Sequence, residues 1–335
     1  MPDANDFLPS YFLDNVYWAQ KKLETRGTSV GVWVVDTGIV SRGVPRSFEE
    51  QVQFIPESLF DEGVVDRRYR EEDTTEHFSH VRLNFTRNRS EDPHGTIVAS
   101  ILNEVAPEAH IYDVKGASQL VRSADTWLIN ALYNCLEIKA YLKKNNLQDP
   151  PMDIINVSLG TYGNRLESFG IRGCLGTCTL GGLVTSLFRQ GVLVVCAAGN
   201  GGRRSIACPA CAPVSLAVGA ALVSRGEVVE AAFSSSFPVT GKPDILAPTK
   251  FASTTHVHIP FLGRPKHLTL DGFFEGTSFS APIVSGVAAL LLSKLKEKEH
   301  NVSLRVAKLR NALTRNTGRG KLLNVKRAIR VLLER

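Results

Sequence analysis

Short apolar runs that end in small or polar residues recur along this chain, and amphipathic stretches separate them. The runs fall at residues 30–35, 110–114, 154–158, 192–197 and 216–220. Each is the length of a strand, and most are too apolar to leave one face in water, which is the pattern of strands in a sheet covered on both sides. Residues 124–143, 180–190, 278–297 and 304–314 carry apolar side chains at helical spacing. Strands that alternate with helices in this way build an α/β fold, a mostly parallel central sheet with helices on both faces. Several runs lead straight into Asp, Ser, Gly or Asn, as in VVDTG, NVSLG and CAAGN. Open α/β sheets place their sites at the carboxyl ends of strands, so chemistry is expected there.

With 335 residues, 43% of them hydrophobic, the chain can bury one large core. No Pro/Gly-rich linker divides it, so residues 1–335 are expected to form a single domain. Residues 44–92 break the periodicity with 12 acidic and 7 basic side chains and read as an irregular insertion. The net charge of +6 is concentrated at the other end, where residues 294–335 hold 13 Lys or Arg against 3 Asp or Glu. These charges interleave with Val306, Leu309, Leu313, Val325, Ile329 and Leu332 at helical spacing. They are therefore expected to be the solvated face of a basic helical segment, and no nucleic-acid partner is implied. The apolar runs fall short of the ~20 residues that span a bilayer, so no membrane partner is expected. The start, MPDANDFLPS, lacks the basic and apolar regions of a signal peptide, which favours a cytoplasmic location.

Three segments carry most of the chemistry. In VWVVDTG, Asp36 ends a buried run, where a carboxylate can accept a hydrogen bond from an imidazole and fix its tautomer. In PHGTIVASI, His94 precedes an apolar stretch able to begin a helix, so one ring nitrogen can face a cleft while the other meets a carboxylate. In GTSFSAPIVSGVAALLL, Ser278 opens a strongly apolar helix, with Thr277 expected to cap it. Pro282 has no N–H and leaves a carbonyl near the start of that helix without its usual partner. Taken singly, each segment has an ordinary structural reading: a strand end, a capping or exposed His, a helix start.

The ordered set VWVVDTG, HGT, VKG, INVSLG, CAAGNGG, PVSLAVGA, KPDILAP, GTSFSAP and GRGKLLNVKRAI resembles the subtilisin-like serine proteases, the subtilase family, over nearly the whole chain. The resemblance implies a subtilisin-like fold and a serine endopeptidase. It makes Ser278 the nucleophile, His94 the general base and then acid, Asp36 the group that orients His94, and Asn200 the side-chain donor to the oxyanion. It also implies that Ser158, Leu159 and Gly160 pair with an extended polypeptide substrate, while Ala197, Ala198 and Gly199 form the opposite wall. These stretches hold no acidic residue, which argues against a pocket dedicated to basic side chains. The family needs no cofactor for catalysis. Its calcium-caging loop is expected to be missing, because SILNEVAPEAHIYDV passes directly from helix to strand. No room is expected for a folding prodomain ahead of Asp36. A peptide ligase or macrocyclase on the same fold, and a binding protein on a dead protease fold, stay open as alternatives.

Cys174, Cys178, Cys208 and Cys211 form a C-x3-C and a C-x2-C pair with 29 residues between them. Four thiolates in two close pairs suit a tetrahedral structural zinc, while two disulfides or four free thiols fit the same spacing. Cys135 and Cys196 fall in apolar helix and strand patterns and are expected in the core.

Overall fold

The computed structural model describes residues 10–39, 52–53, 82–83, 94–117, 124–148, 150–162, 170, 173–224, 227–249, 251–261, 264–315 and 321–333. In chain order the elements are α1 (Ser10–Leu23), β1 (Gly31–Asp36), β2 (Val52–Gln53), β3 (Arg82–Leu83), α2 (His94–Val105), β4 (His110–Lys115), α3 (Ala124–Lys144), β5 (Ile154–Val157) and α4 (Thr179–Arg189). They continue with β6 (Leu193–Ala197), β7 (Leu216–Ser224), β8 (Glu227–Glu230), β9 (Ile245–Pro248), β10 (Phe251–Phe261), β11 (Arg264–Phe274), α5 (Thr277–Lys296), α6 (Val302–Thr314) and α7 (Val325–Leu333).

The five apolar runs are the five central strands. The sheet runs β2-β4-β1-β5-β6-β7-β8, with β3 beside β4 and β9 beside β7. The pairs β1/β4, β1/β5, β5/β6, β6/β7 and β7/β9 are all parallel, and only β3/β4 and β7/β8 are antiparallel. Successive residues of β1 face opposite sides, as the period of a strand requires. Val32 and Val34 pack into one core with α1, α2, α5 and α6, while Trp33 and Val35 pack into another with α3 and α4. The result is three layers, with the sheet in the middle.

The central member of the first layer is α5, from whose middle Val287, Leu290 and Leu291 are wholly buried. Each such side chain contributes about 1.5–3 kcal/mol relative to exposure. By length and composition α5 is apolar enough to cross a membrane, but 89% of that stretch is buried inside the fold. At the C-terminal end the charge pattern resolves as the spacing predicts. Val306, Leu309, Leu313, Val325 and Ile329 are buried, and Lys308 points outward 2.6 Å from Glu299, while Arg310 turns in to Asp244 at 3.2 Å and to the Ser215 carbonyl at 3.3 Å.

Apart from β2 and β3, the insertion expected at 44–92 lies outside the described residues. Between α2 and β4 the chain has only residues 106–109. Sequence periodicity did not single out α1 or the long β10/β11 hairpin, which pairs Phe251 with Phe274 at one end and Phe261 with Arg264 at the other.

Candidate active site

β1 delivers Asp36 to the carboxyl end of the sheet, with its side chain wholly buried. Oδ1 accepts a hydrogen bond from the Thr37 N–H at 2.7 Å and lies 2.7 Å from Nδ1 of His94. A carboxylate only accepts, so Nδ1 carries the shared proton and Nε2 is the basic nitrogen of the neutral ring. His94 is the first residue of α2. The residue after it must be small: a Cβ on Gly95 would stand 2.5 Å from the Gly38 carbonyl oxygen and 3.2 Å from the Asp36 Cβ. A larger side chain there would force α2, and the imidazole it carries, away from the carboxylate. Phe279 packs against the His94 ring with centroids 5.2 Å apart.

Ser278 is the second residue of α5, so its N–H belongs to the first turn, where helix donors have no carbonyl to pair with. Its own carbonyl is the acceptor that an N–H at position 282 would use, and Pro282 has none. The Ser158 hydroxyl supplies the missing donor, at 2.7 Å from the Ser278 oxygen. Ser158 Oγ in turn accepts from Asn156 Nδ2 at 3.0 Å, and Asn156 Oδ1 accepts from the Ser285 hydroxyl at 2.9 Å. The backbone at Ser278 is thereby tied to β5 through a buried polar chain that begins and ends on α5.

Asn200 follows β6 and faces the start of α5. Its Oδ1 accepts from both the N–H and the hydroxyl of Thr277, each at 3.0 Å, which leaves Nδ2 as the free donor. The Thr277 hydroxyl also accepts from the Gly199 N–H at 3.1 Å. The expected cap by Thr277 therefore does not form. The N-cap is Gly276, with no side-chain hydrogen bond, because the Thr277 hydroxyl is spent on Asn200 and Gly199.

His94, Ser278 and Asn200 line one cavity, together with Thr37 and Thr277. Of the residues expected to bind substrate, Ser158, Leu159, Gly160, Ala197 and Gly199 border this cavity. Ala198 does not; it is wholly buried in the core on the α3/α4 side, since neighbours along an extended segment point to opposite faces. Ala207, near which the pocket floor is expected, also lines the cavity, and one further lining residue, Tyr162, was not found by motif. Tyr162 Oη lies 2.9 Å from Ser235 Oγ, and nothing local in the sequence signals that pairing. Among the described residues, no Asp or Glu lines the cavity.

Behind this wall the sulfurs of Cys174, Cys178, Cys208 and Cys211 all lie within 4.8 Å of one another, a group that could hold a metal ion. None of the six cysteines is in a disulfide in this structure. Cys135 and Cys196 are core residues as expected, their thiols pushed up to about 12 by burial.

The Subtilase family profile matches residues 25–329. The chain belongs to the subtilase family. It is 29% identical over 278 residues to Subtilisin NAT of Bacillus subtilis subsp. natto, which covers 80% of this chain and 56% of that protein. Serine protease AprX of Bacillus subtilis (strain 168) is 30% identical over 206 residues, covering 56% of this chain and 43% of that protein. The chain thus spans about half the length of several curated relatives it matches. Among solved structures, the prenylagaramide maturation protease PagA superposes with a TM-score of 0.58 at 23% identity, covering 98% of this subtilase and 99% of that chain. The patellamide maturation protease PatA superposes with a TM-score of 0.57 at 23% identity, covering 91% and 97%. Likeness at that identity speaks for the subtilase fold.

Proposed function

We propose that this subtilase is a serine endopeptidase in which Ser278 is the nucleophile. The observation that carries the reading is a single cavity bordered by His94, Ser278 and Asn200, with His94 held 2.7 Å from the buried Asp36 carboxylate. A serine hydroxyl attacks a peptide carbonyl only when a base takes its proton. His94 Nε2 is that base, and Asp36 fixes the tautomer and stabilises the imidazolium that forms. As the C–O bond to Ser278 forms, negative charge moves to the carbonyl oxygen. The Asn200 amide and the Ser278 N–H receive it, and both are donors with no competing acceptor in the geometry described above. His94 then passes its proton to the departing amine, leaving the acyl group on Ser278. Water, activated by the same nitrogen, releases it.

The ladder of β5 ends at Val157, and residues 158–160 run on along the cavity edge, which suits an extended polypeptide that adds as a further strand. Incubating the purified protein with a diverse peptide library tests this reading. Internal cleavage that disappears in Ser278→Ala, with the circular dichroism spectrum unchanged, is the expected result. Persistent cleavage by Ser278→Ala would overturn the assignment of the nucleophile.

A further inference from the structure

The cysteine cluster is the one concentration of metal-ligating side chains, among the described residues, that the proposed chemistry does not use. Five of its six sulfur separations are 3.1, 3.1, 3.1, 3.3 and 3.5 Å. Two disulfides would split the set into two pairs at about 2.05 Å and four longer distances. Here no such split exists: five separations are near-equal and the sixth lies within 4.8 Å, a spacing that suits four ligands around a common centre. A tetrahedral zinc with Zn–S of about 2.3 Å sets its ligands about 3.8 Å apart, so the four sulfurs need to spread by only a few tenths of an ångström.

The surrounding backbone is built for thiolates. Gly176 N–H donates to Cys174 Sγ at 3.3 Å, and Gly181 N–H donates to Cys178 Sγ at 3.4 Å. Such N–H···S bonds hold first ligands in orientation and offset their negative charge. Gly176 takes φ +81°, which the C-x3-C loop needs to fold back on itself, and a Cβ there would meet the Cys211 carbonyl oxygen at 2.9 Å. Cys178 is moreover the N-cap of α4, where the helix dipole favours a negative sulfur.

We propose that Cys174, Cys178, Cys208 and Cys211 hold one structural zinc ion, and that this ion clamps the wall of the substrate cavity. On binding, each thiol gives up its proton to solvent and its sulfur donates an electron pair to the metal; nothing is oxidised or reduced. The clamp follows from the chain path. Cys208 exchanges two backbone hydrogen bonds with Thr161, 3.0 and 2.7 Å, and its neighbour Ala207 borders the cavity opposite Gly160. Ala207 N–H also donates to the Ala198 carbonyl at 2.9 Å, and its own carbonyl accepts from Cys211 N–H at 3.0 Å. The metal therefore fixes residues 207–211 to the α4 loop, and residues 207–208 fix the edge along which substrate lies. The clamping half of the proposal rests on the proposed proteolytic function; the zinc site does not.

The test is metal analysis of the Ser278→Ala protein, which cannot digest itself, purified without added metal. About one zinc per chain is expected, lost in both Cys174→Ser and Cys211→Ser and kept in Cys135→Ala. Replacement by Co2+ should give the intense visible absorption of a tetrahedral tetrathiolate site. One iron per chain, or a folded metal-free chain whatever the state of its thiols, would overturn the zinc assignment. In the active protein, graded removal of zinc by a chelator should raise KM for an extended peptide several-fold before kcat falls, and added Zn2+ should reverse it. Zinc present with KM indifferent to its removal would overturn the clamp alone. Zinc present in a protein that hydrolyses nothing would leave the site standing and refute the protease.

Discussion

Pro282 removes a hydrogen bond from the first turns of α5, and Ser158 restores it from outside the helix, so the two residues should be energetically coupled. Ser158→Ala removes the 2.7 Å donor to the Ser278 carbonyl and the 3.0 Å acceptor for Asn156 Nδ2, in a site where Ser158 is 2% exposed and Asn156 not at all. An orphaned buried polar group costs about 1–3 kcal/mol, so the two together should cost roughly 2–6 kcal/mol. In a Pro282→Ala background the new N–H at 282 donates to the Ser278 carbonyl within the helix. Ser158→Ala then orphans only the Asn156 amide and should cost roughly 1–3 kcal/mol. The cycle therefore predicts a coupling of about 1–3 kcal/mol, the cost of the one orphaned carbonyl, well outside the ~0.3–0.5 kcal/mol by which independent sites fail to add. Urea unfolding followed by tryptophan fluorescence measures it, with all four proteins carrying Ser278→Ala to prevent self-digestion. Costs that simply add would refute the claim that Ser158 replaces the bond lost to proline.

Two further outcomes follow from the same site. Thr277→Val deletes the hydroxyl that both orients Asn200 and accepts from Gly199, so kcat on a peptide should fall about tenfold while KM holds; the direct loss of an oxyanion donor, measured on subtilisin in the same family, is about 10²–10³. A KM effect alone would mean that Thr277 acts on the cavity and not on Asn200. The rate of hydrolysis should rise with pH as His94 loses its proton, because only neutral imidazole accepts from Ser278, and ordinary imidazoles titrate near pH ~6.5. A rate maximum below about pH 5, where His is charged, would rule out His94 as the base.

The five central strands were legible because a strand buried on both faces is mostly apolar, with the odd hydrogen-bonded polar residue such as Asn156, and few other elements of that length are. The candidate residues Asp36, His94, Asn200 and Ser278 were picked out by the ordered set of motifs that resembles the subtilases, since each segment taken singly has an ordinary structural reading. What the sequence hid was the wiring between distant segments. Thr277 looks like a cap from its position before an apolar helix, and only the approach of Asn200 shows where its hydroxyl goes. Ser158 looks like one residue of a substrate strand, yet its hydroxyl belongs to α5, 120 residues away. Pro282 announced an unpaired carbonyl without saying what would satisfy it. The cysteine pairs were visible as two spacings, but their convergence on one point depends on α4 and the 207–211 turn packing together. Ala198 came with a contiguous stretch of the expected wall, but the chain alternates faces there and its side chain is turned into the core.

The central claim, that Ser278 is made nucleophilic by His94, is tested most directly by mapping the adduct of a fluorophosphonate. The protein is treated with the reagent, digested and analysed by mass spectrometry beside His94→Ala. A single adduct on Ser278, abolished or slowed by orders of magnitude in His94→Ala, is the predicted result. Labelling at another residue, or labelling of Ser278 at an unchanged rate without His94, would contradict the account.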